Sequence, residues 1–345
     1  MENQLQPIID TVQHNCHIAD ARHAGDYTLC VYLLKMREMY RWEHGIDFTA
    51  QLTTDDVGDW LTGREGVWDE VEGQDYKPLQ IKGKSHDAFD NDLINTLLHE
   101  HKLVYNAGLG IRCRPHFFIA ELEQVIQQDG YTIYISGKEY ARDMAAPGAM
   151  AQQNKIFIRR ESLRRVIWEI LDDARVSGMD NPLTRAMRYY PFEENIETAL
   201  NQMADVEIAY VIQHEIGEVK AGRVLGGIWD DMLNSLARTQ AEIMLRAVRD
   251  HLADSMTTLP ALLEDNNPAS IHFYFGNLTA MRKHLAPSLL EAYENWHASG
   301  ELDQLQALAQ GSVDYWKQLA EKIIDAYKHS PKPEPIEALI TQNVY

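Results

Sequence analysis

The sequence predicts a mainly α fold (α+β) in which one small antiparallel β element sits within a multi-helix globular body. Three observations predict it. Apolar residues recur at helical spacing almost without interruption after Arg160. The segment Asp26–Trp42 is apolar nearly all round through Met36 (YTLCVYLLKM). Only two short segments, Tyr131–Ile135 and Lys155–Ile158, alternate β-forming residues with the period of a strand.

The first 45 residues read as two helices broken near Gly25, the second of them expected to be a central core helix carrying Leu29 and Leu33. Between Gly45 and Ser85, acids and the glycines at 58, 63, 66, 73 and 83 predict loops with one or two short helices, Thr54 being placed to cap Asp55–Leu61. Helix is expected again over Asp87–Leu103 and from about His116 to Gln128. The two strands come next, joined by SGKEYARDMAAPGAMAQQN, far longer than a tight hairpin loop. Beyond Arg160 the periodicity predicts helices over Glu161–Val176, Glu193–Ala221 and Ile228–Ser255, then amphipathic segments as far as Lys328. SPKPEPIEALITQNVY starts as an extended Pro-rich segment and ends in sequence suited to a short docking helix. The expected organisation is one helical body over 1–330, with subdivision near 160 as the alternative, and a Pro-rich tail over 331–345.

A chain of 345 residues can bury a sizeable core, and 45% hydrophobic with 24% charged residues is ordinary for a globular protein. The formal net charge of -20 repels phosphate backbones and anionic lipid, so neither nucleic acid nor membrane is an expected partner. No run approaches the roughly 18 apolar residues of a spanning helix. The start, MENQLQPIID, has no basic or apolar leader region, so no signal peptide is expected. Cys16, Cys30 and Cys113 form no CxxC pair and read as free thiols of a cytoplasmic protein. A small-molecule or peptide substrate is the expected partner, and the oligomeric state is not legible.

The sharpest chemical pattern lies on the helix around His214. Projected at 100° per residue, Ile208, Ile212, Ile216 and Val219 form an apolar stripe that belongs in the core. A second stripe runs Leu200, Met203, Glu207, Val211, His214 and Glu218, with Glu215 on its shoulder. Three carboxylates and an imidazole so close repel one another unless something positive sits among them, and no Lys or Arg shares the stripe. Carboxylate oxygen with imidazole nitrogen suits a divalent zinc or iron ion, and residues four apart, such as His214 and Glu218, can share one metal.

The local string VIQHEIGEV resembles the zincin metallohydrolase pattern HExxH, with Glu218 in place of the second histidine. That resemblance implies His214 and Glu218 as metal ligands and Glu215 as the base that activates bound water. The strand pair upstream is similar to the small sheet that precedes a zincin active helix, although a long helical insertion intervenes. A second resemblance is to di-iron carboxylate proteins, which project Glu and His into a helical bundle. It implies Glu38, Glu207, His214 and Glu218 as the set, and departs from that family in having HxxxE rather than paired ExxH. A non-catalytic interaction protein with merely solvated acidic faces is the third reading.

Other polar residues fall on apolar faces. Glu38 shares the stripe of Tyr27, Val31 and Leu34, and needs either Arg41 as an ion-pair partner or a metal. Asp10, His14 and His17 share one N-terminal stripe, a ligand set or a solvated face. Asp250 and Asp254 lie four apart, aligned with Leu236, Ile243 and Ala247, and are preferred as extra metal ligands to Glu242, which sits in an arginine-rich ladder. Arg159, Arg160, Arg164 and Arg165 form a basic cluster able to clamp a carboxylate or phosphate, or to pair with local acids. There is no GxGxxG, P-loop, nucleophile elbow or CxxCH. The stretches CHIADARHAGDYTLCVYLLKMREMYRWE, EYARDMAAPGAM and IRRESLRR together resemble an uncharacterised bacterial protein family, which implies no activity.

Overall fold

Two helices occupy the first 45 residues, as the break at Gly25 implies: α1 (Glu2–His23) and α2 (Leu29–His44). The computed structural model describes residues 2–110, 114–128, 130–177 and 179–345, so Cys113 lies outside the described residues; Cys16 is buried and Cys30 exposed, both as free thiols. The described chain forms two units, Met1–Trp168 and Glu169–Tyr345.

In the first unit α2 is not the core helix its composition predicts. Leu29 is 71% exposed and Leu33 47%, whereas Met36, Glu38, Met39 and Arg41 are buried. The charged pair can be buried because it is compensated: Arg37 Nε donates to Glu38 at 2.7 Å, Arg41 stands 3.6 Å from it, and Arg41 also donates to the Asp47 and Ala50 carbonyls. The glycine-rich stretch is also more regular than expected. It forms α3 (Thr54–Val71), capped by Thr53 rather than Thr54, whose Oγ1 accepts from Asp56 N. Each glycine inside it costs about 1 kcal/mol of helix propensity. Burial of Trp68 and Val71, and hydrogen bonds from Trp60 and Arg64 to Glu43, offset that cost.

Next come a hairpin of β1 (Leu79–Ile81) and β2 (Lys84–His86), turned on Lys82 and Gly83 at φ 50° and 75°, and a short helix α4 (Asn91–Leu98). The expected small antiparallel element is instead a five-stranded mixed sheet: β3 (Leu103–Leu109), β4 (Pro115–Gln128), β5 (Tyr131–Arg142), β6 (Ala149–Gln152) and β7 (Lys155–Arg159), in the order β3-β4-β5-β7-β6. The two predicted strands are present within β5 and β7, but they pair in parallel, Thr132 against Lys155 through Ser136 against Arg159. Parallel neighbours need a crossover, and the long connection supplies it, with β6 returning antiparallel to β7.

The stretch predicted as a helix over His116–Gln128 is the strand β4 because its first half is covered on both faces. Phe117 and Ile119 pack with Ile8, Val12 and Cys16 of α1, while Phe118 and Ala120 pack with Val104 and Phe157. A run buried on both sides loses the polar–apolar alternation that identifies a strand. Leu103 likewise begins a strand rather than ending a helix.

The sheet gives way to α5 (Arg160–Ser177), within which the unit boundary falls. The second unit is helical throughout its described residues: α6 (Pro182–Met187), α7 (Ile196–Leu225), α8 (Gly227–Ser235), α9 (Gln240–Met256), α10 (Thr258–Asp265), α11 (Pro268–Asn277), α12 (Ala280–Leu285), α13 (Pro287–Ser299), α14 (Asp303–His329) and α15 (Pro333–Thr341). The helix expected over Ile228–Ser255 is two, α8 and α9. Arg238 at φ 68° breaks it, Thr239 caps the new start, and Glu242, buried rather than solvent-facing, accepts from Arg238 N and from Arg246. The core gathers Trp229, Leu245, Leu252, Tyr293, Trp316 and Ile323. Ile208 and Ile216 are buried and Ile212 half-buried. The Pro-rich segment ends in α15, docked through Ile336 and Ile340.

Candidate functional site

The site is set by the close crossing of α7 and α9. Gly217 faces the Ala253 carbonyl and Thr257 Oγ1 so tightly that a Cβ there would collide with both. Thr257 Oγ1 reinforces the crossing by donating to the Gln213 carbonyl at 2.6 Å. One turn from this contact, His214 on α7 meets Asp254 on α9, with Nδ1 2.7 Å from Asp254 Oδ1. Thr258 Oγ1 donates to the same oxygen at 2.8 Å, and Arg282 of α12 pairs with Oδ2. Arg282 also reaches the Tyr274 hydroxyl at 3.3 Å, and its carbonyl accepts from His251 Nε2 at 2.9 Å. His251 is stacked on Trp316 and held neutral by burial, its pKa lowered to about 3, so it props the network and carries no charge.

Asp254 is buried, which opposes its charge, but Arg282 and then His214 more than offset this and hold the carboxylate well below its ordinary range. The consequence for His214 is large. Burial lowers its pKa, and Asp254, followed by Glu218 and Glu215, raises it to about 10. His214 is therefore an imidazolium at neutral pH, its Nδ1–H held by Asp254 and its Nε2 3.7 Å from Glu218 Oε1. The imidazole also lines a cavity of about 160 Å3, together with Glu207, Tyr210, Phe273, Tyr274 and Arg282 among others. Glu207, two turns before His214 on α7, is buried with Ser270 Oγ donating to it at 2.6 Å. No cation pairs with it in the described structure, and burial pushes its pKa up to about 7.

The positive charge required by the acidic stripe comes from two neighbouring helices. Arg249 of α9 donates to Glu218 at 3.2 Å and lies 3.9 Å from Asp250, while Arg282 neutralises Asp254. Glu215 is buried, its pKa raised to about 7 by burial and by Glu218. His214 Nε2 and Glu218 Oε1 are 3.7 Å apart. The ligand set expected from the sequence is thus only partly assembled. Glu207, His214, Glu215, Glu218, Asp250 and Asp254 share one region of the second unit, but Glu38 belongs to the first unit, occupied by Arg37 and Arg41. Among the described residues no group of three or more His, Cys, Asp or Glu side chains is placed to hold a metal ion. Guanidinium groups engage two of the expected ligands, Arg249 at Glu218 and Arg282 at Asp254.

Two members of the N-terminal stripe have partners of their own. Asp10 accepts from Gln6, and His17 faces Arg64 Nη1 at about 3 Å, burial and that guanidinium lowering its pKa to about 3. Reading one helix at a time missed Thr258, Ser270, Tyr274 and Arg282. None has a sequence signal of its own, although Arg249 was visible in the ladder on α9. No described helix is long and apolar enough to cross a membrane.

Two sequence profiles match the chain. Both describe a family of unknown function (DUF6866), its N-terminal domain over residues 7–159 and its C-terminal domain over residues 164–343. No curated protein and no solved structure matches.

Proposed function

Because the chain belongs to this family, whose description names no activity, its function has to be argued from the site, and we propose an enzyme doing acid–base chemistry on a small molecule in the His214–Asp254 cavity. The observation that carries the reading is the chain Arg282–Asp254–His214, anchored at the arginine and ending in a half-buried imidazole, all three residues lining the cavity. Asp254 fixes the imidazole in orientation and charge, so Nε2–H is a preorganised donor to an oxygen of the ligand. Glu207, with a pKa near the working pH, is the group suited to exchange a proton with the same ligand. Two titratable groups on one helix face, driven to about 7 and about 10 by opposite environments, are the pattern expected of an acid–base pair. Seven residues of helix separate them by about 10 Å. The cavity is smaller than the roughly 300–1,000 Å3 of drug-sized sites, which favours a small molecule over a peptide.

Ligand-observed NMR with a panel of small carbonyl and carboxylic compounds tests this. Binders are expected to compete for one site and to lose at least tenfold in affinity in His214→Ala, with helical content retained. Binding indifferent to both His214→Ala and Glu207→Gln would sink the proposal. So would stoichiometric zinc or iron in protein purified without chelators and lost in His214→Ala, since a metal-dependent hydrolase or di-iron site requires Arg249 to leave Glu218.

A further inference from the structure

A second cavity, of about 190 Å3, lies within the Met1–Trp168 unit. Four arginines line it: Arg41 from α2, Arg142 from the end of β5, and Arg164 and Arg165 from the first turns of α5. Trp42 and Phe48 form part of the same wall. In a chain of net charge -20 this convergence runs against the composition.

Arg142 is the informative member. It is 3% exposed, its Nε has no hydrogen-bond partner among the described residues, and its guanidinium lies 4.5 Å from the centre of the Trp42 ring. Its other polar contacts are long, 3.5 Å to Glu139 Oε2 and 3.5 Å to the Glu38 carbonyl. Glu139 is not Arg142's alone. It accepts from Arg159 Nε at 2.8 Å and from Ser162 Oγ at 2.7 and 2.9 Å. One carboxylate, held ionised by Arg159 and Arg142, therefore serves two buried guanidiniums. Burial lowers the Arg142 pKa to about 10, and the neighbouring Arg165 and Arg159 push the same way against Glu139. A buried cation matched this poorly is stabilised by any anion that reaches it.

We propose that this pocket is a second ligand site that binds a phosphate group, with Arg142 at its base and Arg164 and Arg165 on its wall. A tetrahedral dianion carries more charge than a carboxylate and offers acceptors out of one plane to donors on several walls at once. The volume suits the phosphate group itself, either the free ion or the head of a small phosphate monoester. Of the three carboxylates on the lining, Glu38, Asp47 and Glu161, two are hydrogen-bonded elsewhere. Glu161 Oε2 accepts from Glu139 N at 2.5 Å, and Glu38 is held by Arg37. The site is independent of the acid–base cavity and its fate does not depend on that reading.

Calorimetry and thermal melting of the full chain, with inorganic phosphate, glycerol phosphate or acetate at constant ionic strength, provide the test. Saturable binding of phosphate or its ester is expected, weakened at least tenfold by Arg142→Lys and by Arg164→Gln. Tighter glycerol phosphate identifies an ester as the ligand, tighter inorganic phosphate the free ion, and both support the site. Arg164 is only half-buried, so Arg164→Gln keeps the question answerable where Arg142→Lys does not fold. The proposal falls if neither phosphate compound binds saturably, if acetate binds as well, or if binding survives the substitution.

Discussion

Asp254→Asn is the sharpest probe of the second unit, because it removes one charge while keeping the shape. Asp254 is 1% exposed and answers two cations, Arg282 on Oδ2 and His214 on Oδ1. Losing the carboxylate leaves Arg282 buried without its counter-charge, a defect that costs about 3–5 kcal/mol in comparable buried pairs. His214 responds by a different route. Burial lowers its pKa and Asp254, ahead of Glu218 and Glu215, raises it to about 10, so without the Asp254 carboxylate His214 should titrate well below that value. The pH dependence has a definite sign. A histidine whose folded pKa is raised contributes stability that is complete below its unfolded value, about 6.5, and is lost as pH climbs through the folded value. The stability gap between wild type and variant should therefore be widest below pH 6.5 and narrow toward pH 10. Urea denaturation across that range, with the His214 imidazole resonance followed by NMR, measures both effects. A loss under about 1 kcal/mol, the scale of an exposed ion pair, would refute the argument, as would a variant imidazole still titrating near 10.

Two further substitutions test how the site is held and how it titrates. Gly217→Ala puts a methyl into the Ala253 carbonyl and should destabilise by about 1–3 kcal/mol while loosening the His214–Asp254 bond; a variant melting with wild type would show that α7 and α9 do not need this close approach. Glu207→Gln should match wild type below about pH 4.5 and exceed it at pH 8 by on the order of 2 kcal/mol, because the folded carboxyl, raised to about 7 by burial, costs stability as it ionises; identical pH profiles in denaturation experiments would show that Glu207 is not held in its acid form.

Helices were legible wherever one face was polar, and strands only where the pattern alternated. β4 shows the limit. In HFFIAELEQVIQQ the first half is buried on both faces and the second half is rich in Glu and Gln, which favour helix, so local propensity and periodicity agree on the wrong answer. What decides is tertiary, the pairing of Phe118 with Asn106 on one side and Arg142 on the other. α2 fails in the opposite direction. Its apolar surface made burial the natural expectation, yet Leu29 and Leu33 stay outside while Glu38 and Arg41 go in, because pairing between neighbouring charged residues makes their burial tolerable. Hydrophobicity summed around a helix measures how much it could bury, not which side it turns inward.

The site shows the same asymmetry in electrostatic form. His214, Glu207, Glu215, Glu218 and Asp254 were all visible as a polar constellation, and the inference that something positive must join them was sound. Its identity was not legible from α7 alone, since charge balance is a property of the packed structure. Arg249 lies 31 residues from Glu218 in sequence and Arg282 lies 28 from Asp254. Both arrive on helices whose own periodicity makes them unremarkable surface arginines. An acidic helical stripe therefore cannot by itself distinguish a metal from a guanidinium, because both satisfy the same repulsion between carboxylates. The two differ in what they leave for chemistry. A metal would use up His214 Nε2 as a ligand, whereas the arginines engage Glu218 and Asp254 and leave that nitrogen uncoordinated on an imidazole that lines the cavity. On the proposed reading, that difference at one nitrogen replaces metal-bound water with proton donation by the protein itself.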